Sequence, residues 1–258
     1  MYITPSSIKE LAFTPGIAAG SKGITVKRLQ EWLNLHGNGV VIDNDFGPAT
    51  QAAVKNFQNS QGLPTTGVLT AQTWKALIKP MNSALTATVV AGSFADDACL
   101  AIARAHLAVH PMEAGGDNCG PWVRLYTGGN SGADWLWCAG FVSFVTSQAC
   151  DLAALPRPIK GSLSCDTLAS QAQLAKRFVS GKSLGKSATA SGALGACALF
   201  LLRRTPGDWS HTGLAYNFTD STFDTIEGNT NDEGGSNGYE VCHRTRKFDD
   251  NKDFITLH

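Results

Sequence analysis

In 210-SHTGLAYNFTDSTFDTIEGNT-230 two apolar-polar runs, SHTGLAYNF (210–218) and TFDTIEG (222–228), flank a short polar turn. Alternating β-branched and aromatic residues around such a turn read as an antiparallel hairpin. Three neighbouring segments repeat the pattern between Gly, Asp and Asn turns: CALFLLRR (197–204), YEVCHRTRKF (239–248) and DFITLH (253–258). Everything before residue 197 reads differently. DDACLAIARAHLAVH (96–110) and the apolar segment 138–150 have helical periodicity, and the polar region 156–195 is partly helical around SCDTLASQAQLAKRFVSG. Helices first and an antiparallel run of strands afterwards predict an α+β fold.

The hairpin also carries chemistry. Pairing around a turn centred near residue 219 sets His211 across from Glu227, and alternation places Asn229 on the same face as Glu227. A carboxylate and an amide would then both reach the imidazole, the carboxylate holding the ring and stabilising its charged form. His211 reads equally as a strand histidine packed on the core, and Glu227 and Asn229 as ordinary turn polars. Upstream, ADWLWCAGFVSFV (133–145) sets Cys138 where an apolar helix begins, with Phe141, Val142, Phe144, Val145 and Ala149 on its stripe. A helix N-terminus and a nearby imidazolium both lower a thiol pKa, and unpaired N–H groups there can meet an oxyanion. Cysteine is also among the most buried residue types, so packing is the competing reading. Trp135 and Trp137 flank the thiol and are candidates for lining a groove, or for the core.

The first 80 residues hold three short helices: VKRLQEWLNLHG (26–37), GPATQAAVKNFQNSQG (47–62) opening at Pro48, and LTAQTWKALIKP (69–80) capped by Thr70 and stopped by Pro80. No titratable cluster accompanies them, so this small bundle reads as a binder. Residues 1–80 are its expected extent, residues 81–95 a linker, and 96–258 a second domain. With 43% hydrophobic and 16% charged residues the chain is globular rather than disordered. Lys+Arg and Asp+Glu number 21 each, which removes any global field for nucleic acid or anionic lipid. Residues 1–80 carry a net +3 and the remainder −3. No segment approaches the ~18–20 apolar residues of a membrane span. MYITPSSIKELAF lacks the charged start and apolar core of a secretory signal, so synthesis and folding in the cytoplasm are expected.

Seven cysteines with no CxxC pair argue against a disulfide framework and a thiolate zinc site. His106 and His110 stand at i,i+4, but the intervening residues lack the glutamate of a zinc-peptidase helix. Asp43 and Asp45 lack the acidic ligand series of a calcium loop and read as turn residues. No metal is expected at any of these positions.

Two resemblances sharpen the reading. LQEWLNLHG followed by VIDNDFGPATQAAVKNFQNSQGLPTTGVLTAQTWKAL closely resembles the peptidoglycan-binding domain family. Its hallmarks are an LQxxL helix, a DxxFGPxT turn, an AVxxFQ helix and a closing TW, filled here over about residues 22–79. That resemblance implies peptidoglycan as partner. EAGGDN (113–118), WCAGFVSF (137–144), SHTGLA (210–215) and TIEGNT (225–230) resemble the cysteine- and histidine-dependent amidohydrolase/peptidase (CHAP) domains of cell-wall hydrolases. This second resemblance, over about 95–258, implies a papain-like α+β domain. It makes Cys138 the nucleophile, His211 the base, Glu227 its orienting group and Asn229 a fourth polar member. Glu113 and Asn118 match positions near the cleft entrance, with a structural or substrate-binding role.

Together the resemblances imply a modular, endolysin-like peptidoglycan hydrolase. It would be a monomer without nucleic-acid or membrane partners, cleaving an amide of the wall after release from the cytoplasm. The chemistry requires no cofactor, although some relatives use calcium. The 151–195 insert is untypical of such domains. The sequence leaves open amidase against endopeptidase action. It also leaves open a secreted antibacterial effector with the same chemistry and a catalytically inactive wall-binding protein.

Overall fold

The computed structural model describes residues 1–184, 190–231 and 237–258. Helices in the first part are α1 (Pro5–Leu11), α2 (Ile24–Leu35), α3 (Pro48–Ser60), α4 (Ala71–Leu77), α5 (Lys79–Leu85), α6 (Ala95–Leu107) and α7 (Pro121–Tyr126). They are followed by α8 (Cys138–Ala153), α9 (Cys165–Leu174), β1 (Phe178–Val179), α10 (Gly181–Leu184) and α11 (Ala190–Leu194). The strands β2 (Cys197–Thr205), β3 (Asp208–Tyr216), β4 (Thr222–Thr230), β5 (Glu240–Lys247) and β6 (Lys252–Thr256) complete the chain. The fold is α+β, as the period change at residue 197 predicts. Of the polar region 156–195, residues 185–189 lie outside the described residues.

The chain divides into two compact units whose borders differ from the expected ones. One consists of residues 3–85 together with 112–133. It exceeds a three-helix bundle, because α1, α5 and α7 join α2, α3 and α4. Pro80, expected as a terminator, sits in the first turn of α5 instead. Proline at a helix start forfeits no hydrogen bond, so Met81, Ala84 and Leu85 continue into the core where a linker was expected.

Two fully buried glutamines explain two hallmarks of this unit. Gln30 Nε2 donates to Asp43 Oδ1 (2.8 Å), the Asp45 carbonyl (3.1 Å) and Thr50 Oγ1 (3.1 Å), while its Oε1 accepts from Asn44 N (3.0 Å). Gln58 does the same for the second turn, reaching Val68 O (2.9 Å) and Thr73 Oγ1 (3.0 Å) and accepting from Gly67 N (2.9 Å). A buried amide with both ends satisfied ties a loop to a helix at a place where apolar packing could not.

Segment 112–133 contributes α7 and a buried cation. Arg124 forks onto Glu10 (2.8 and 2.9 Å) and Glu31 (3.0 and 2.6 Å). Burial opposes its charge, but those bonds outweigh burial and hold the guanidinium firmly protonated. The ring of Trp122 meets Trp32 edge-on beside it.

The other unit comprises residues 1–2, 86–111 and 134–258. Its six strands form one antiparallel sheet in the order β1-β6-β2-β3-β4-β5. Helix α8 packs against α6, β3 and β4. A second apolar cluster, including Ala198, Phe200, Ala215, Phe223 and Phe254, is closed by Leu184 and Leu194. Phe94 is the N-cap of α6, and Asp96 in its first turn accepts from Ala196 N (2.8 Å), tying the helix to the approach of β2.

Candidate active site

Cys138 is the first residue of α8 and 4% exposed. Trp137 precedes it as a cap with no side-chain hydrogen bond to the helix, and the first intrahelical bond runs from Phe141 N to Trp137 O (2.8 Å). The N–H groups of the opening turn therefore have no intrahelical acceptor and surround the sulfur with positive potential. What seats this helix end on the sheet is Gly228 of β4. A Cβ there would lie 2.7 Å from Phe141 Cβ and 2.8 Å from Trp137 Cζ3.

His211, on β3, is completely buried, and its Nε2 lies 2.8 Å from Glu227 Oε2. The route of this contact differs from the expected one. The hairpin pairs Leu214 with Ile226 and Tyr216 with Asp224, a register that sets Gly213, not His211, opposite Glu227. A shift by two residues keeps the same side chains on the same face, so the carboxylate reaches the imidazole diagonally. Gly213 leaves the space for it: a Cβ there would fall 2.7 Å from Glu227 Cγ.

Glu227 is itself fully buried and richly bonded. Arg246 donates from Nε to Oε1 and from a terminal nitrogen to Oε2, both at 2.6 Å, and Thr225 Oγ1 donates to Oε1 at 2.5 Å. Burial alone would favour the neutral acid, but Arg246 and His211 outweigh it and bring the carboxyl down to about 2. Burial likewise opposes charge on His211, yet contact with Cys138 and Glu227 lifts the imidazole to about 9. The Cys138 thiol is held well below its ordinary value by a contact with the Cys165 thiol, against burial, with the His211 ring and the Thr212 backbone adding to the effect. Both directions favour a thiolate–imidazolium pair. Among the described residues Nδ1 of His211 takes no hydrogen bond of ordinary geometry, which leaves that nitrogen for the sulfur.

Asn229 departs from the expected alternation. A bulge between Glu227 and Thr230 interrupts the β4–β5 register, and Asn229 adopts φ +57°. Its Nδ2 donates to Asn237 Oδ1 (3.3 Å), and the backbone kink rather than strand parity sets where it points. Trp137, a candidate groove residue, is fully buried and is part of the packing under α8; Trp135 is 38% exposed. Glu113 and Asn118 fall in the first unit, where Glu113 Oε2 accepts from Asn118 N (2.8 Å) and Asn118 Nδ2 donates to Ala133 O (3.1 Å). Their visible work is to close a loop in which Asn118 has φ +51°.

His106 and His110 do not act as a pair. His106 is buried against Gln148 Oε1 (3.0 Å), and burial lowers it to about 4; His110 pairs with Glu240. Two participants escaped the sequence reading. Arg246 could have been sought in the alternating CHRTRK strand, but only the sheet order makes it a neighbour of Glu227. Cys165 places its sulfur 4.0 Å from that of Cys138, and no local motif announces it.

Comparison with known proteins bears on the other unit. Residues 22–77 match the family described as "Putative peptidoglycan binding domain". A solved structure titled "The crystal structure of SleB N-terminal domain" shares 37% identity, over 26% of this chain and 96% of that one, with a TM-score of 0.26. No curated protein matches the chain. A peptidoglycan-binding domain within residues 22–77 is thus what a known family covers in this protein, and peptidoglycan is the partner it supports.

Proposed function

We propose that the protein is a peptidoglycan hydrolase that cleaves an amide of the cell wall through Cys138. The observation that carries this reading is the buried Cys138–His211–Glu227 arrangement on a helix start and two strands. In the reaction the thiolate attacks the scissile carbonyl carbon, and the N–H groups at the start of α8 receive the oxyanion. The imidazolium gives its proton to the leaving amine, and neutral His211 then takes a proton from the water that releases the acyl group. Glu227 keeps the ring oriented and charged, and Arg246 keeps Glu227 ionised. Asn229 is assigned a supporting role, and Trp135 offers an exposed ring for substrate. None of these steps draws on a cofactor.

The peptidoglycan-binding unit supports the choice of substrate, because a tether to the polymer raises the local concentration of its bonds at the catalytic unit. In this reading the chain works as a lysis enzyme of endolysin type, made in the cytoplasm and acting on the wall after release. Clearance of purified peptidoglycan by wild type and by Cys138→Ala tests it. Wild type is expected to clear the suspension and the variant to lose at least about 10³-fold. Equal clearance by both, or by neither, overturns the reading. Mass spectrometry of the released fragments, by the new amine they expose, assigns the bond as glycan–peptide or peptide–peptide.

A further inference from the structure

The thiols of Cys138 and Cys165 lie 4.0 Å apart, each on the first residue of a helix, α8 and α9 respectively. Both are buried, at 4% and 7% exposure. Helix α9 is fixed beside β3 where Asp166 Oδ1 accepts from Trp209 N (2.7 Å), and Ser164 caps its first turn. Two sulfurs held so close, on the starts of two helices, need approach by only about 2 Å to reach disulfide bonding distance. We propose that Cys138 and Cys165 form a redox-convertible dithiol that a peroxide closes into a disulfide and a dithiol reductant reopens.

The chemistry balances with hydrogen peroxide as oxidant. The Cys138 thiolate attacks one peroxide oxygen, the O–O bond breaks, and the departing hydroxide takes a proton to leave as water. The resulting sulfenic acid is attacked at sulfur by Cys165, its S–O bond breaks, and the hydroxide leaves as a second water with the Cys165 proton. Two thiols are oxidised and one peroxide is reduced. The shifts suit the order of events, since the surroundings of Cys138 favour its thiolate while contact with it favours the protonated Cys165. The regulatory consequence rests on the proposed hydrolase function: the disulfide would stop catalysis reversibly and spare the nucleophile irreversible oxidation to sulfinic acid.

The test is peptide mapping of the full-length protein after mild hydrogen peroxide, with free thiols alkylated under denaturing conditions. The expected product joins tryptic peptide 125–160 to 161–176 through Cys138 and Cys165, two hydrogens lighter than the separate peptides, and dithiothreitol abolishes it. In Cys165→Ser, Cys138 is expected to gain two oxygens instead. Wall-clearing activity should fall at least tenfold with the cross-link and return on reduction. Sulfinic acid at Cys138 of wild type without the cross-link overturns the proposal, as does peroxide loss that dithiothreitol reverses equally in Cys165→Ser. A cross-link in a protein that never clears peptidoglycan would sink the hydrolase reading and leave the dithiol standing.

Discussion

Glu227 illustrates how a single buried charge is made tolerable and then used. With 0% exposure it would be neutral at ordinary pH, but Arg246, Thr225 and His211 occupy its lone pairs. Contact with Cys138 and then the ionised carboxylate raise His211 to about 9, against the burial of the ring. In the proposed reaction the imidazolium is needed below that value, so activity should fall as pH rises through about 9. Glu227→Gln removes one of the two contacts that oppose burial of the charged ring and leaves only that with Cys138. The alkaline limb of the rate profile is then expected to move to lower pH, with kcat down by about 10²–10⁴-fold. An unchanged limb in a pH–rate series would show that another group sets it. The stored sign is consistent: a raised histidine pKa favours the folded charged pair most below the ordinary 6.5 and loses that benefit on the way up to about 9.

Two glycines govern how elements meet around the site. Gly213 gives β3 the gap through which Glu227 crosses to His211, and Gly228 gives β4 the flat patch on which the start of α8 rests. Neither has a positive φ, so the requirement is close approach and not backbone conformation. Gly213→Ala would place Cβ 2.7 Å from Glu227 Cγ, 2.8 Å from Phe200 Cε1 and 3.0 Å from Ile226 O. The expected outcome is a folded protein destabilised by about 1–3 kcal/mol, with activity reduced far more than stability. Thermal unfolding alongside wall clearance would check this; full activity would mean that Glu227 has room the close packing denies it. The residue types around this hairpin were legible from alternation alone, as was the face shared by His211 and Glu227. The actual register was not, because a turn length cannot be read to one residue, and a two-residue error leaves every side chain on its face. The bulge at 228–229 was equally hidden, since nothing in TIEGNT distinguishes a bulged strand from a straight one.

At the scale of the whole molecule, the chain visits its helical unit twice, in residues 3–85 and again in 112–133. The later visit supplies Trp122 and the Arg124 guanidinium, whose partners Glu10 and Glu31 come from α1 and α2. A fragment of residues 96–258, the range suggested by sequence motifs, would carry α7 without its neighbours and leave Arg124 without both carboxylates. Breaking a buried pair of this kind costs about 3–5 kcal/mol. The fragment is expected to be poorly soluble or to unfold at a clearly lower temperature than the full chain. Soluble yield and a melting curve decide it; a fragment as stable as the full protein would mean that 112–133 can refold on other contacts.

The sequence by itself determined the α+β class, the helices carrying the peptidoglycan-binding motifs, and the placement of Cys138 at a helix start. These depend on local periodicity, capping and turn chemistry, which each short segment carries within itself. Only the tertiary structure decided that Arg246 ionises Glu227, that Cys165 touches Cys138, and that Trp137 is packing. It alone also decided that 112–133 folds with the N-terminal helices. Each of these is a contact between residues distant in the chain, and its existence depends on sheet order, register and close approach, which no single segment encodes.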